Sequence, residues 1–122
     1  MQTLNEKSQH SLCYLKFLNL IEAIREIPTF PAMDPVEERL LNLLAATWHV
    51  GRRVSVLEAM GLSSEISATT AHRRLKTLRA KGMIALDADK SDTRIKYVVP
   101  TELANAYFAT LGQALNKAQQ LS

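Results

Sequence analysis

The sequence predicts a mainly helical domain that also contains a small β-hairpin. Three observations support this prediction. Leu and Ala are abundant, whereas aromatic residues make up only 6% of the chain, a balance that favours helices. Apolar residues recur at helical spacing in most of the chain, and only residues 83–99 alternate as strands do. A length of 122 residues suits one domain with its own core.

The first predicted helix covers residues 11–27 and has a wider apolar surface than packing inside one small domain requires. The excess predicts a contact with another subunit. A segment with three prolines, residues 28–35, ends this helix. We therefore assign residues 1–33 to dimerisation, through four side chains on the helix: Leu12, Leu15, Leu18 and Ile21.

The second and third helices have recognisable start signals. Asp34, followed by a proline and by Glu37, places a side-chain cap and an acid at the positive end of a helix dipole. Ser55 and Glu58 form the S-x-x-E capping box of a short third helix. A polar turn then leads to a fourth helix over residues 67–81.

Beyond Gly82 the apolar period changes from helical to extended. Two short strands joined by a polar connection form a hairpin over residues 83–99. Thr101 caps a last helix, which adds Tyr107, Leu111 and Leu115 to the dimerisation surface. Two helices joined by a tight turn, then a ribbon, form a winged helix-turn-helix domain over residues 34–100. Residues 101–122 complete the dimerisation part.

Positive charge is concentrated in the centre of the chain. Residues 52–98 hold ten basic and five acidic side chains, whereas residues 1–51 hold four basic and six acidic ones. The net charge of +3 therefore comes from one segment. Polyanions are the expected partners of such a segment.

The fourth helix concentrates this charge, because no acidic residue occurs between Ser67 and Leu86. A helix that is only solvated usually mixes signs to form i, i+4 pairs. Hydroxyl side chains in the first turns, with cations on the outward face, fit insertion into a DNA groove better. The predicted DNA contacts on this helix are Ser67, Thr69, Thr70, His72, Arg73, Arg74, Lys76 and Thr77.

The hairpin tip is also basic. Lys90, Ser91, Arg94 and Lys96 are predicted to contact the adjacent minor groove or backbone, and Asp92 is placed to pair with Arg94 and stiffen the turn. A charged hairpin tip alone is an ordinary solvated loop. Beside a basic helix, it favours DNA binding.

Two motifs resemble those of the MarR family of bacterial winged-helix transcription regulators. The pattern S-x-x-T, a basic stretch, L-x-x-x-G and two apolar residues runs from Ser67 to Ile84. The wing signature D-x-R-x-x-x-V-x-L-T-x-x-G is matched at Asp92, Arg94, Val98 and Thr101. Two positions depart from it, since Pro100 and Ala104 replace the usual leucine and glycine.

The resemblance implies a homodimer that binds a pseudo-palindromic DNA operator, and a repressor is the leading hypothesis. The single cysteine and the lack of a long apolar run predict a cytoplasmic protein. The resemblance also implies dimerisation through the terminal helices, and a small-molecule inducer in many family members. Cys13 and its surroundings faintly resemble the reactive-cysteine segment of the peroxide-sensing branch, which makes a redox sensor one interpretation. A small core residue is the other.

Other classes of function have little support in the sequence. The three histidines are scattered, so no metal site or metal cofactor is expected, and no phosphate loop or nucleophile motif indicates an enzyme. A single cysteine excludes an intrachain disulfide, and no apolar run is long enough to predict a membrane span. The alternative is a winged helix used for protein–protein contact, or in a mobile-element or replication complex.

Overall fold

The computed structural model describes residues 4–120 and is mainly helical, with one small sheet, which confirms the predicted fold class. The described elements are α1 Leu4–Arg25, α2 Pro35–His49, β1 Val54–Ser55, α3 Val56–Met60, α4 Ala68–Ala80, β2 Ile84–Ala88, β3 Lys96–Pro100 and α5 Glu102–Gln119.

The chain divides into two units. One unit is formed by residues 33–105 and contains α2, α3, α4 and the sheet. The other contains the N-terminal helix and most of α5, residues 106–120 of the described chain, so that the terminal helices pack together. The division falls within α5, after Asn105.

Capping boxes start α2 and α3, as the sequence predicts. The carboxylate of Asp34 accepts the Glu37 N–H at 2.7 Å, and the Glu37 carboxylate accepts the Asp34 N–H at 2.9 Å. Ser55 and Glu58 make the same reciprocal pair at the start of α3. These bonds satisfy backbone donors that a helix start leaves unpaired.

The predicted two-stranded ribbon is a three-stranded antiparallel sheet of order β1-β3-β2. Strand β1 was not predicted, because its two residues are too short to show an alternating pattern. Val54 pairs with Val98 of β3, which also faces Leu86 of β2. The central strand therefore ties the chain before α3 to the hairpin after α4.

The core of this unit lies between α2, α4 and the sheet. Leucines with at most 1% exposure line α2, at positions 40, 41 and 44, and Leu78 of α4 is fully buried. The sheet contributes Val54, Ile84 and Val98, each at most 2% exposed. Trp48 at the end of α2 donates its indole N–H to the carbonyl of Val98 at 3.0 Å, which joins the helix to β3.

A positive φ angle of 79° at Gly82 ends α4 and turns the chain into β2. Glycine adopts this conformation without the steric cost that a side chain would add. The Thr101 hydroxyl donates to the Gly82 carbonyl at 2.6 Å and accepts the Ala104 N–H at 3.1 Å. Thr101 therefore caps α5, as predicted, and also fixes the turn after α4.

Helix α1 is longer at its start than predicted and ends slightly earlier. Its described part begins at Leu4, and the polar residues before Ser11 have no apolar period from which a helix could be predicted. It ends at Arg25 in a tight turn before Pro28, in which the Ile27 N–H donates to Ile24 O. Within residues 4–120, no helix has the length and apolar character needed to cross a membrane.

Candidate nucleic-acid interface

The exposed side of α4 carries positive charge that the described acidic side chains leave unpaired. Arg73, Lys76 and Arg79 are exposed, and no ion pair joins any of them to another residue of the described chain. Thr69 is exposed on the same side, and His72 is half-buried at its flank. This arc of the helix is open to an anionic partner.

The side of α4 that faces α2 is polar as well, but its groups are paired. Arg74 Nε lies 3.0 Å from a carboxylate oxygen of Asp34, an ion pair in which this buried nitrogen has no aligned hydrogen-bond acceptor among the described residues. Thr77 donates its hydroxyl proton to Glu37 Oε2 at 2.7 Å, and Lys81 donates to Glu37 Oε1 at 2.6 Å. The helical projection places Thr77 on the outward face, whereas in the structure it is half-buried against α2.

Glu37 is buried, with 1% of its surface exposed, and carries an ion pair. Burial by itself raises the pKa of this carboxyl group. Hydrogen bonds from Lys81, from the Asp34 N–H and from Thr77 outweigh burial, so that the pKa of Glu37 lies below its ordinary value of 4.5. The carboxylate is therefore held in its charged form.

The first turn of α4 uses its hydroxyl groups internally. Ser67 accepts the Thr70 N–H at 3.1 Å and donates its own proton to the Thr70 hydroxyl at 2.9 Å. Both side chains thus contribute to the N-cap that starts the helix. Thr69, between them, has no such bond.

The hairpin between β2 and β3, which we term the wing, has a loop organised by two aspartates. Asp89 accepts the N–H groups of Ser91 and Asp92, each at 3.0 Å, and the Ser91 hydroxyl at 2.6 Å. Asp92 accepts three hydrogen bonds from Arg94, from its backbone N–H at 3.1 Å, from Nε at 3.0 Å and from Nη2 at 3.1 Å. These bonds lower the pKa of both aspartates.

Two lysines of the wing, Lys90 and Lys96, are exposed and form no ion pair with another described residue. Between the wing and the helices lies an apolar groove of about 780 Å³. It is lined mainly by α3 and β3, with His72 of α4 on one side. The residues of α3 at the groove include Leu57, which is 79% exposed.

The predicted dimerisation residues differ in exposure. Leu12, Leu15, Leu18 and Leu115 are exposed, each by 39% or more. Ile21 and Leu111 are half-buried. Tyr107 is only 8% exposed, and its ring meets that of Phe30 edge to face with 5.3 Å between centroids. Cys13 is half-buried on α1, and its redox role stays a prediction.

The sequence did not indicate the contacts that Asp34 and Glu37 make with α4. Both were recognised as residues that start α2. Their contacts with α4 link residues that are 40 and 44 positions apart in the sequence. Local spacing carries no signal for such contacts. The part of the chain that the structure describes holds no group of three or more side chains suited to a metal ion.

No protein-family model matches the chain, and no curated protein matches it in sequence. Solved structures do match. The transcriptional regulator Tm0710 from Thermotoga maritima aligns over 92% of this chain and 72% of its own, with a TM-score of 0.60 and 16% identity. The heme sensor protein PefR from Streptococcus agalactiae, in complex with heme, aligns over 96% and 76%, with a TM-score of 0.57 and 21% identity.

The YusO protein from Bacillus subtilis aligns over 95% of this chain and 74% of its own, with a TM-score of 0.56 and 16% identity. Tm0710 and PefR are MarR-family regulators, not enzymes. At this level of identity the likeness concerns the fold, which the motifs in α4 and the wing predicted. The chain has the fold of the MarR-family transcription regulators.

Proposed function

We propose that the chain is a transcription regulator that binds specific double-stranded DNA as a homodimer and represses by occupying a promoter. In this proposal α4 enters the major groove, and the wing lies at the adjacent minor groove or backbone. The observation that carries the proposal is the outward arc of α4, where exposed cations have no acidic partner among the described residues. The phosphate backbone of DNA supplies the missing negative charge.

The contacts within the domain divide the predicted DNA-binding residues of α4 into two groups. Thr69, Arg73 and Lys76 are exposed and form no hydrogen bond or ion pair with another described side chain, so we assign base and phosphate contacts to them, with His72 at the flank. Arginine can grip guanine through two hydrogen bonds, which makes Arg73 our main candidate for base recognition. Four other predicted contacts have internal bonds and are assigned supporting roles: Ser67, Thr70, Arg74 and Thr77.

In the wing, Lys90 and Lys96 are assigned to phosphates, because they are exposed and unpaired among the described residues. Arg94 is exposed although it binds Asp92, so its remaining donors can also reach the backbone. Ser91 is bound to Asp89 and supports the loop. Such contacts position a protein on DNA without reading its sequence.

A dimer follows from the apolar surface of the terminal helices. Leu12, Leu15 and Leu18 form an exposed apolar stripe on α1. Leu115 is an exposed leucine on α5. Apolar area of this kind is stabilised when a second copy covers it. A two-fold dimer carries two copies of α4, and its matching site is therefore a pseudo-palindromic operator.

The first experiment selects bound sequences from a randomised duplex pool with the purified chain and then titrates salt on the selected duplex. We expect a two-fold motif with half-sites about one helical turn apart and a steep loss of affinity with salt. Binding without any motif would contradict sequence-specific regulation. No binding at low salt would leave protein–protein contact as the better explanation of the fold.

Substitution of Arg73 by Ala should separate base contacts from phosphate contacts. We expect Arg73→Ala to weaken binding to the selected duplex by about 1–3 kcal/mol and to relax the preference at one base position. Lys90→Ala should weaken binding to all duplexes alike and lower the salt slope by about 1. Both are measured by fluorescence anisotropy on the selected duplex and on its variants.

Arg25→Ala is the matched control, because it removes one positive charge from α1 at a position that is neither a proposed DNA contact nor a predicted dimerisation residue. It should leave the base preference unchanged. If Arg73→Ala and Lys90→Ala weaken every duplex equally, Arg73 contacts phosphate only, and the assignment of base recognition to this residue is wrong.

A further inference from the structure

Helix α4 is joined to the start of α2 by a row of polar contacts. The α2 side consists of Asp34 and Glu37, and the α4 side consists of Arg74, Thr77 and Lys81. We call this set of five residues the α2–α4 clamp. Its members are spaced three or four residues apart on each element, so that each set forms one stripe along its helix.

The contacts of the clamp are short and involve a buried charge. Glu37 is 1% exposed, and its two carboxylate oxygens are occupied by Thr77, Lys81 and the Asp34 N–H, at 2.6 to 2.9 Å. Apolar side chains of the same size would fill the space without the desolvation of a carboxylate. Packing alone therefore does not explain why a charged carboxylate occupies position 37.

Directional contacts limit the rotation of a helix more strictly than apolar packing does. Apolar burial has no preferred direction, whereas a hydrogen bond weakens steeply when donor and acceptor lose alignment. The hydrogen bonds of the clamp lie on Thr77 and on the C-cap residue Lys81, and the Arg74–Asp34 ion pair extends the contact to just under two turns of α4. The clamp therefore opposes both rotation of α4 about its axis and sliding along it.

Resting on the proposed function, we infer that Asp34 and Glu37 are positioning residues that hold α4 in the rotational setting in which Arg73 and Lys76 meet the DNA. Arg73 precedes Arg74 directly, and Lys76 precedes Thr77, so each outward residue adjoins a clamped one. Side chains extend about 6 Å from a helix axis, and a rotation of about 10° therefore displaces them by about 1 Å. That displacement exceeds the tolerance of about 0.5 Å for a preorganised contact.

The test replaces Glu37 by Gln in the full chain and reads two quantities. The first is hydrogen exchange, by mass spectrometry, over peptides covering residues 68–80. The second is the ratio of affinities for the selected duplex and for a scrambled duplex. We expect faster exchange in α4, about a tenfold loss of affinity for the selected duplex, and less than a twofold change for the scrambled one.

Glu65→Gln is the matched control. Glu65 lies in the turn just before α4, is exposed and pairs with Arg39, so the substitution makes the same change in charge near the same helix. It should leave the exchange of α4 and the affinity ratio unchanged. If Glu37→Gln does not fold, Thr77→Val removes one hydroxyl donor at nearly constant volume and should change both quantities in the same direction, by less.

Unchanged exchange in α4 would overturn the inference, and so would equal losses of affinity for the two duplexes, which indicate a general loss of folded protein. A wild-type chain that selects no motif would instead refute the proposed function. Exchange over residues 68–80 then decides by itself whether Glu37 positions α4.

Discussion

Glu37 combines three roles in one carboxylate: it closes the capping box of α2, accepts the Thr77 hydroxyl and pairs with Lys81. The hydrogen bonds hold its pKa below 4.5 although burial acts in the opposite direction. A group whose pKa is lower in the folded than in the unfolded state stabilises the fold above its unfolded pKa. That stabilisation is lost as the pH falls through the folded pKa.

The free energy of unfolding of Glu37→Gln should therefore differ from that of the wild type in a pH-dependent way. At neutral pH we expect the variant to be less stable by about 1–3 kcal/mol, because the donors lose a charged acceptor. The difference should begin to shrink near pH 4.5, where the unfolded chain takes up the proton, and should vanish as the pH falls through the lower pKa of the folded carboxylate. Urea unfolding between pH 7 and pH 3 measures both curves.

Glu102→Gln provides the control for charge, because Glu102 is exposed at the start of α5. The free energy of unfolding of this variant should depend on pH in the same way as that of the wild type. A constant difference between Glu37→Gln and wild type over the whole pH range would contradict the role assigned to the ionised carboxylate.

Residues with local roles could be predicted from the sequence, and residues with distant partners could not. Asp34, Ser55 and Thr101 were identified as caps, because a cap depends on neighbours within four positions. The inward position of Thr77 was missed, since the helical projection follows apolar residues only, and Thr77 contacts α2 through a hydrogen bond to Glu37 beside the apolar core. Pairing over 40 residues leaves no local pattern.

The wing shows that strands, like single residues, cannot be predicted when they depend on distant partners. Its two longer strands were predicted from alternation, but β1 has only two residues and is recognised only by its pairing with β3. The loop between β2 and β3 is held by side chains rather than by a long ladder. Asp89 and Asp92 accept six hydrogen bonds from Ser91, Asp92 and Arg94, so the loop has a defined shape without deep burial.

Replacement of Asp92 by Asn should loosen this loop without unfolding the sheet. The pair with Arg94 is exposed and contributes little to the stability of the fold as a whole, so we expect only a local effect, with tryptic cleavage at Lys90 and Arg94 about two- to fivefold faster. Asp87→Asn makes the same change in charge on strand β2 and should leave the cleavage rate unchanged. Equal rates in the two variants would show that Asp92 does not order the loop.

The proposed dimer is expected to form through apolar surfaces that are exposed in a single chain. Leu15 of α1 is 54% exposed, and Leu57 of α3 is 79% exposed. They belong to different units of the chain, and only Leu15 lies on the proposed dimer surface. The wide apolar surface of α1 was predicted from its sequence. The spacing of its residues does not say which helix of the partner subunit covers that surface.

Leu15→Glu should convert the dimer into a monomer at micromolar concentration. A leucine buried at an interface contributes about 1.5–3 kcal/mol, and a carboxylate placed there has to be desolvated. Sedimentation velocity measures the change in mass. Leu57→Glu, the same substitution on an exposed leucine of the other unit, should remain dimeric. A dimer of unchanged stability in Leu15→Glu would exclude α1 as the interface.

Trp48 gives the molecule an internal optical reporter. It is the single tryptophan of the chain, and its indole N–H donates to the Val98 carbonyl of the central strand. All tryptophan emission therefore originates at the junction of α2 with the sheet. Separation of the wing strand from α2 would expose the indole to water and shift this emission to longer wavelength, so the integrity of the winged domain can be followed in solution without any label.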